Sequence, residues 1–356
     1  MNATRSHSGI ERPPPINTVI VGFGLSGSVF HASFIHHHPA FRLHGIVTSA
    51  EAAAQSYPQA VIYRSLEAAL SDPEVELVVI CSPHTHHVQQ ATLALEAGKH
   101  VVAEKPVGLE SHEVELLGQL ATRQQKLLVP FHNRRWDGDF LTLKDLLSRD
   151  LLGTPLDFES RFDRFAPTVT RAHWRYQDKQ AGGTLFDLGP HLVDQCLVLF
   201  GMPLSVHATL LNHRNFKQNN DGFDIRLFYP NLVASLKAGV FVRSPGPRFQ
   251  LHGTKGSFVK YGLDSQESFL RDQKDDRPPI ASGRNLMQRS ILITDDTGTA
   301  KKYPVLPGRY MTFYDQLADA IKQNALPPVS VEDAIAGLKI IEAAIMSHQL
   351  KKNIDL

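Results

Sequence analysis

His100-Val101-Val102-Ala103-Glu104-Lys105-Pro106-Val107-Gly108 begins as a short apolar run and stops abruptly at an acid, a base and a proline. Such a run before turn chemistry reads as a buried parallel strand. In open α/β sheets, ligands bind beyond the carboxyl ends of such strands. Lys105 is therefore aimed at a cleft. Lysine usually stays in water, so it is either an idle strand end or a working group, and the flanking sequence has to decide.

Upstream, residues 16–21 form an apolar strand followed at once by Gly22-Phe23-Gly24-Leu25-Ser26-Gly27. In that pattern Gly22 permits the tight turn, Gly24 lets the backbone approach a pyrophosphate, and Gly27 allows close packing of helix on strand. Residues 28–36 then read as a helix whose N-terminus lies under the phosphates. The next strand, residues 43–47, ends in Thr48-Ser49 with no carboxylate to hold a ribose 2′-hydroxyl. Nothing there repels a 2′-phosphate and two hydroxyls can donate to one, which favours NADP, with NAD possible. Arg64 is a remote candidate for sealing that preference. The strand at 75–81 runs into Ser82-Pro83-His84-Thr85-His86-His87, where Pro83 turns the chain and leaves Ser82 and His86 at the cleft edge. Neither this histidine group nor His36-His37-His38 has zinc-ligand spacing with supporting cysteine or carboxylate, so no metal is expected. Helices at 88–97 and 113–125 and a strand at 127–131 continue the alternation, the signature of a doubly wound sheet.

Length and charge set the wider frame. A chain of 356 residues exceeds the size of a single core, so two domains are the default. Residues 1–15 read as a flexible tail, 16–134 as a dinucleotide-binding domain, and 135–356 as a substrate-binding and oligomerisation domain. With 37 basic against 36 acidic side chains, no electrostatic case exists for a nucleic-acid partner. No apolar run has the length of a membrane span. Two cysteines inside apolar runs, Cys81 and Cys196, fit a reducing compartment, so a soluble cytoplasmic protein is expected.

The glycine turn, Cys81-Ser82-Pro83 with His86, and above all Ala97-Gly98-Lys99-His100-Val101-Val102-Ala103-Glu104-Lys105-Pro106 resemble the glucose–fructose oxidoreductase/inositol dehydrogenase (Gfo/Idh/MocA) family. The resemblance covers nearly all of residues 16–350. It implies a Rossmann domain joined to an α/β domain built on a large, mainly antiparallel open sheet. It also implies hydride exchange between a nicotinamide and a sugar, polyol or related alcohol, and a homodimer or homotetramer formed through that sheet.

Downstream of the last Rossmann strand, His132-Asn133-Arg134-Arg135-Trp136-Asp137 is the expected hinge, with Asn133 and Arg135 as candidates for substrate hydroxyls. Trp174 and Arg175 are further candidates. Asp187, His191 and Asp194 recur at four- and three-residue spacing and share one face of a helix. Pro190 sits awkwardly among them unless the helix starts nearby. A neutral imidazole at His191 can take an alcohol proton, and Asp187 could fix its tautomer. Asp187-x-x-x-His191 after a double glycine resembles the family's second catalytic motif, in which Lys105, Asp187 and His191 would converge on the nicotinamide. Glu104 and Lys105 are both candidates for cofactor contact, and Glu104 either helps to hold Lys105 or simply closes the strand. The hinge, Trp174-Arg175 and Asp187-Leu188-Gly189-Pro190-His191 most resemble the NADP-preferring scyllo-inositol dehydrogenase branch. Redox-assisted glycoside cleavage and a non-catalytic NADP-sensing regulator are the alternatives, and the second is disfavoured because Lys105, Asp187 and His191 are all present.

Beyond this helix, five alternating runs between residues 206 and 261 read as the antiparallel sheet. Residues 264–300 read as polar and irregular. Two amphipathic helices are expected at 313–324 and 331–350.

Overall fold

Six short β-branched runs pair side by side in the first half of a computed structural model, which describes residues 13–168, 182–214, 219–273, 278–279, 289–294 and 297–356. They are β1 (Ile16–Val21), β2 (Phe41–Val47), β3 (Val61–Tyr63), β4 (Leu77–Ile80), β5 (His100–Glu104) and β6 (Leu128–Phe131). Their order is β3-β2-β1-β4-β5-β6 and every pairing is parallel. Burial on both faces explains why the central strands read as continuous apolar runs. The order reverses between β1 and β4, and a crevice opens there at the carboxyl ends of the strands. Both the glycine turn after β1 and Lys105 after β5 lie at that edge.

The second sheet contains β7 (Pro155–Asp163), β8 (Ser205–Leu211), β9 (Gly222–Phe228), β10 (Val233–Gly239), β11 (Phe249–Gly253), β12 (Gly256–Tyr261), β13 (Arg289–Ile293), β14 (Lys301–Lys302) and β15 (Ile354–Asp355). Its order is β14-β13-β12-β11-β7-β10-β9-β8-β15, antiparallel except where β7 meets β10. In β7, Phe158, Ser160 and Phe162 are buried while Glu159, Arg161 and Asp163 alternate with them. The helices Thr184–Phe200 and Val331–Leu350 pack against this sheet on one side.

Two features depart from the sequence reading. The stretch read as irregular after residue 264 contains the helix Gln266–Asp272 and the strand β13. The helix Met311–Gln323 leaves the second sheet and returns to the Rossmann layer. Its apolar stripe of Phe313, Tyr314 and Leu317 completes the aromatic cluster of Phe34, Phe41 and Phe131, with Tyr314 stacked on Phe34 at 5.2 Å between ring centroids. Burying each such ring stabilises the fold by about 1.5–3 kcal/mol, which fixes the second domain against the first. Among the described residues, no helix is long and apolar enough to cross a membrane.

Candidate active site

The three glycines divide their work as their spacing suggests. Gly22 has φ +94°, a region that favours glycine, and its amide donates to the Val47 carbonyl at 3.0 Å. A Cβ on Gly27 would fall 2.1 Å from the Gly22 carbonyl oxygen, so helix and turn are in closest contact there. A Cβ on Gly24 would meet nothing within 4 Å. That open side is where a pyrophosphate needs bare backbone, so the cradle fits a dinucleotide. Leu25 and Ser26 stand at its inner rim.

The adenosine end of the cradle is less enclosed. At the end of β2, Thr48 Oγ1 accepts from the Ala50 amide at 3.0 Å, and Ser49 is exposed. Ser82 lies against Gly22, and its hydroxyl donates to Gln90 at 2.6 Å. Pro83 starts the short turn that follows, and His86 in that turn is exposed.

Where the two domains meet, a cavity of about 300 Å³ is lined by residues from both, including Ser26, Glu104, Lys105, Asn133, Asp187 and His191. Its volume is at the small end of the roughly 300–1,000 Å³ typical of ligand pockets. The peptide between Lys105 and Pro106 is cis. The Lys105 ammonium donates to the Asp187 carbonyl and stands 3.8 Å from Asp187 Oδ1. The helix carrying Asp187 starts at Thr184, so Pro190 lies inside it, in its second turn. The proline removes the amide that would have bonded the Phe186 carbonyl, one residue before the carbonyl that Lys105 takes.

His191 lies one helical turn beyond Asp187 and is 8% exposed, and its Nδ1 has no hydrogen-bond partner among the described residues. Burial first, and then the charges of Lys105, Arg134, His132 and Arg248, hold its pKa well below the usual histidine value. It is a neutral imidazole at physiological pH. The expected tautomer-fixing contact from Asp187 is not formed. Among the described residues the Asp187 carboxylate pairs with Lys105 and, at 3.8 Å, with Arg164. Lys105 approaches from across the cleft and Arg164 from the end of β7 in the same domain, and both draw the carboxylate away from its own helix.

Glu104 is tied down at several points. Its Oε1 accepts from the Ser26 hydroxyl and lies 3.2 Å from His31 Nε2, while its Oε2 accepts from the Lys105 amide at 3.2 Å. Burial would push the carboxyl up, but His31, Ser26 and the Lys105 charge outweigh it and hold the pKa at about 2.

In the hinge, Asn133 lines the cavity but Arg135 does not. Arg135 grips Asp194 with Nη2 to Oδ1 at 2.6 Å and Nε to Oδ2 at 3.0 Å, and Nη1 is 3.1 Å from Asp333. It binds two helices together instead of reaching for substrate. Arg134, not expected there, lines the cavity in place of Arg135, with Nη2 2.6 Å from Glu267 and its guanidinium over the Phe162 ring. Trp136 packs against Phe313 in the core. Trp174 and Arg175 lie outside the described residues.

Several cavity residues were not singled out from sequence. Phe162, Asp163 and Arg164 come from the end of β7, and Glu267 and Arg271 from the helix Gln266–Asp272. Position at a strand's carboxyl end was a usable signal for the first three. Four-residue spacing was one for the last two. Among the described residues, four basic lining residues (Lys105, Arg134, Arg164, Arg271) face four acidic ones (Glu104, Asp163, Asp187, Glu267).

Comparison with known proteins identifies the family. Residues 16–132 match the model of an oxidoreductase family's NAD-binding Rossmann fold, and 144–356 match that family's C-terminal alpha/beta domain. The chain is 38% identical to scyllo-inositol 2-dehydrogenase (NADP(+)) IolW of Bacillus subtilis, over 98% of both chains. It is 36% identical to the uncharacterized oxidoreductase YdgJ of Escherichia coli, over 96% of this chain and 99% of that one. A solved Bacillus subtilis structure described as an oxidoreductase, yvaA, superposes with a TM-score of 0.89 at 37% identity, covering 96% of this chain and all 100% of the other. The chain belongs to the Gfo/Idh/MocA family of NAD(P)-dependent oxidoreductases.

Proposed function

We propose that the protein reversibly oxidises a secondary alcohol of an uncharged polyol, inositol or sugar with NADP as acceptor, and that scyllo-inositol is the first substrate to try. The observation that carries this reading is the meeting of Lys105 from one domain with Asp187 and His191 from the other, at the inner rim of the glycine cradle. Balanced charge around the cavity suits a neutral polyhydroxylated ring better than an anion. The absence of a carboxylate at Thr48-Ser49 favours NADP. The B. subtilis relative carries an inositol and NADP(+) in its name, which supports both choices.

When bound, the nicotinamide supplies the acceptor for the carbon-bound hydrogen and its two electrons, leaving a carbonyl once the hydroxyl proton has also gone. His191, neutral and lining the cavity, takes that proton. Lys105 places positive charge where the alkoxide develops. Asp187 acts on Lys105, holding its ammonium at the cleft through carbonyl and carboxylate together. Asn133 and Arg134 are positioned to bind the remaining hydroxyls.

The open side of the second sheet, where Arg161 and Lys237 meet Glu159 at 2.6 and 3.0 Å, is the surface we assign to pairing with a second copy. Two free cysteines, Cys81 and Cys196, fit a cytoplasmic location. A panel of inositols, polyols and aldoses offered with NADP+ and NAD+ side by side tests the reading. Reduction of NADP+ by at least one cyclic polyol is expected. No turnover with any member of the panel would remove the substrate class, and a strong preference for NAD+ would remove the reading of Thr48-Ser49.

A further inference from the structure

Glu104 and Lys105 are consecutive residues that serve opposite sides of the cleft. The Glu104 carboxylate turns toward the helix after the glycine cradle, where it meets Ser26 and His31. The Lys105 ammonium turns toward the second domain, where it meets Asp187. Both side chains line the same cavity. The strand's alternation separates two unlike charges that would otherwise simply pair with each other.

The charge requirements of the proposed reaction are also opposite on the two sides. An alcohol losing its proton develops negative charge, and Lys105 answers it. An oxidised nicotinamide is a cation and its reduced form is neutral, so a lone lysine beside it would disfavour the oxidised cofactor. We propose that Glu104 is the counter-charge for the oxidised nicotinamide, so that it selects NADP+ over NADPH in the same site where Lys105 selects the alkoxide. This inference rests on the cofactor reading above and adds a residue that sets the preference between its two redox states.

Three further observations support it. Glu104 reaches the cavity wall although it is otherwise buried, whereas a carboxylate that only closed a strand would have no reason to reach the cavity. Its Oε1 accepts from the Ser26 hydroxyl and its Oε2 from the Lys105 amide, with His31 Nε2 3.2 Å from Oε1, contacts that favour the ionised group. His31, fully buried, is in turn fixed from behind by Tyr314, whose hydroxyl lies 3.1 Å from His31 Nδ1. Tyr314 belongs to the helix Met311–Gln323, so the second half of the chain helps to hold this charge in place.

The test is a pair of equilibrium titrations, NADP+ and NADPH, by calorimetry on the wild-type protein, on Glu104→Gln and on Glu104→Asp. A single charge acting over ~10 Å through an effective dielectric near 20 changes an affinity by about tenfold. Glu104→Gln should therefore weaken NADP+ about tenfold more than it weakens NADPH, while Glu104→Asp, which keeps the charge, should leave the ratio near that of wild type. If loss of one member of the buried pair unfolds the protein, the double variant His31→Gln/Glu104→Gln removes both members, and the same fall in the ratio is expected. Equal weakening of the two forms, or no change in either, overturns the inference while leaving the proposed function standing. A wild-type protein that binds neither form overturns both.

Discussion

Lys105, at the end of β5, reaches across the interdomain cleft to the second domain, where its ammonium donates to the Asp187 carbonyl and stands 3.8 Å from Asp187 Oδ1. The contact joins a strand of the first domain to a helix of the second, so the position of the charge depends on both. Under the proposed chemistry Lys105→Ala should lower kcat by roughly 10²–10³, the usual scale for a group that stabilises a developing oxyanion. NADP+ affinity should not fall, because the glycine cradle is untouched and a positive charge beside the oxidised nicotinamide has been removed. Steady-state kinetics beside a cofactor titration checks this, and comparable losses in both would contradict the assigned role.

His191 carries the pH prediction. Its folded pKa lies well below the usual histidine value because of burial and neighbouring cations, so it remains a neutral base well below the ~6.5 of an ordinary imidazole. As pH falls, kcat/KM for alcohol oxidation should hold on the acid side past that value and drop only when His191 finally protonates. An acid limb centred near 6.5 would argue against His191 as the base. Its removal in His191→Ala should lower kcat by about 10²–10⁴.

Arg135 should behave as a structural residue. It bridges Asp194 and Asp333, and breaking a buried ion pair by removing one partner typically costs about 3–5 kcal/mol. Arg135→Ala is expected to lower the melting temperature while leaving KM nearly unchanged under conditions where the protein stays folded. Thermal unfolding and a KM measurement at low temperature together decide it. A large rise in KM with normal stability would return Arg135 to the substrate site.

Two glycines of the cradle should fail in different ways. A Cβ on Gly24 meets nothing within 4 Å, so Gly24→Val should fold like wild type but lose cofactor affinity. Gly27→Ala would press a methyl to 2.1 Å from the Gly22 carbonyl, an overpacking that costs about 1–3 kcal/mol or more. Melting curves with and without NADP separate the two. Equal cofactor stabilisation of Gly24→Val and wild type would mean that the open side of the turn is not where the dinucleotide lies.

The sequence was most informative where local rules decide structure. The glycine turn after β1, the alternation of strand and helix, and the four-residue step from Asp187 to His191 all follow from short-range periodicity. Direction across space was harder to read. Asp187 shares a helix face with His191, yet its carboxylate is drawn to Lys105 and Arg164, which approach from other elements. Arg134 and Arg135 are adjacent in the single 3₁₀ turn Asn133–Trp136, where neighbours project about a third of a turn apart. Composition could not say which one faces the cavity. Glu267 and Arg271 lay in a stretch read as irregular. The return of the helix Met311–Gln323 to the Rossmann layer is a tertiary event that no local pattern records.

The central claim is that the carbon-bound hydrogen of an alcohol passes to NADP in this cleft. Incubating the protein with NADP+ and scyllo-inositol deuterated at its ring carbons, then analysing cofactor and sugar by mass spectrometry, tests it directly. The account predicts one deuterium in each NADPH formed and one ketone in the ring for each deuterium transferred. Unreduced cofactor, or a ketone formed with the deuterium lost to water, would contradict it.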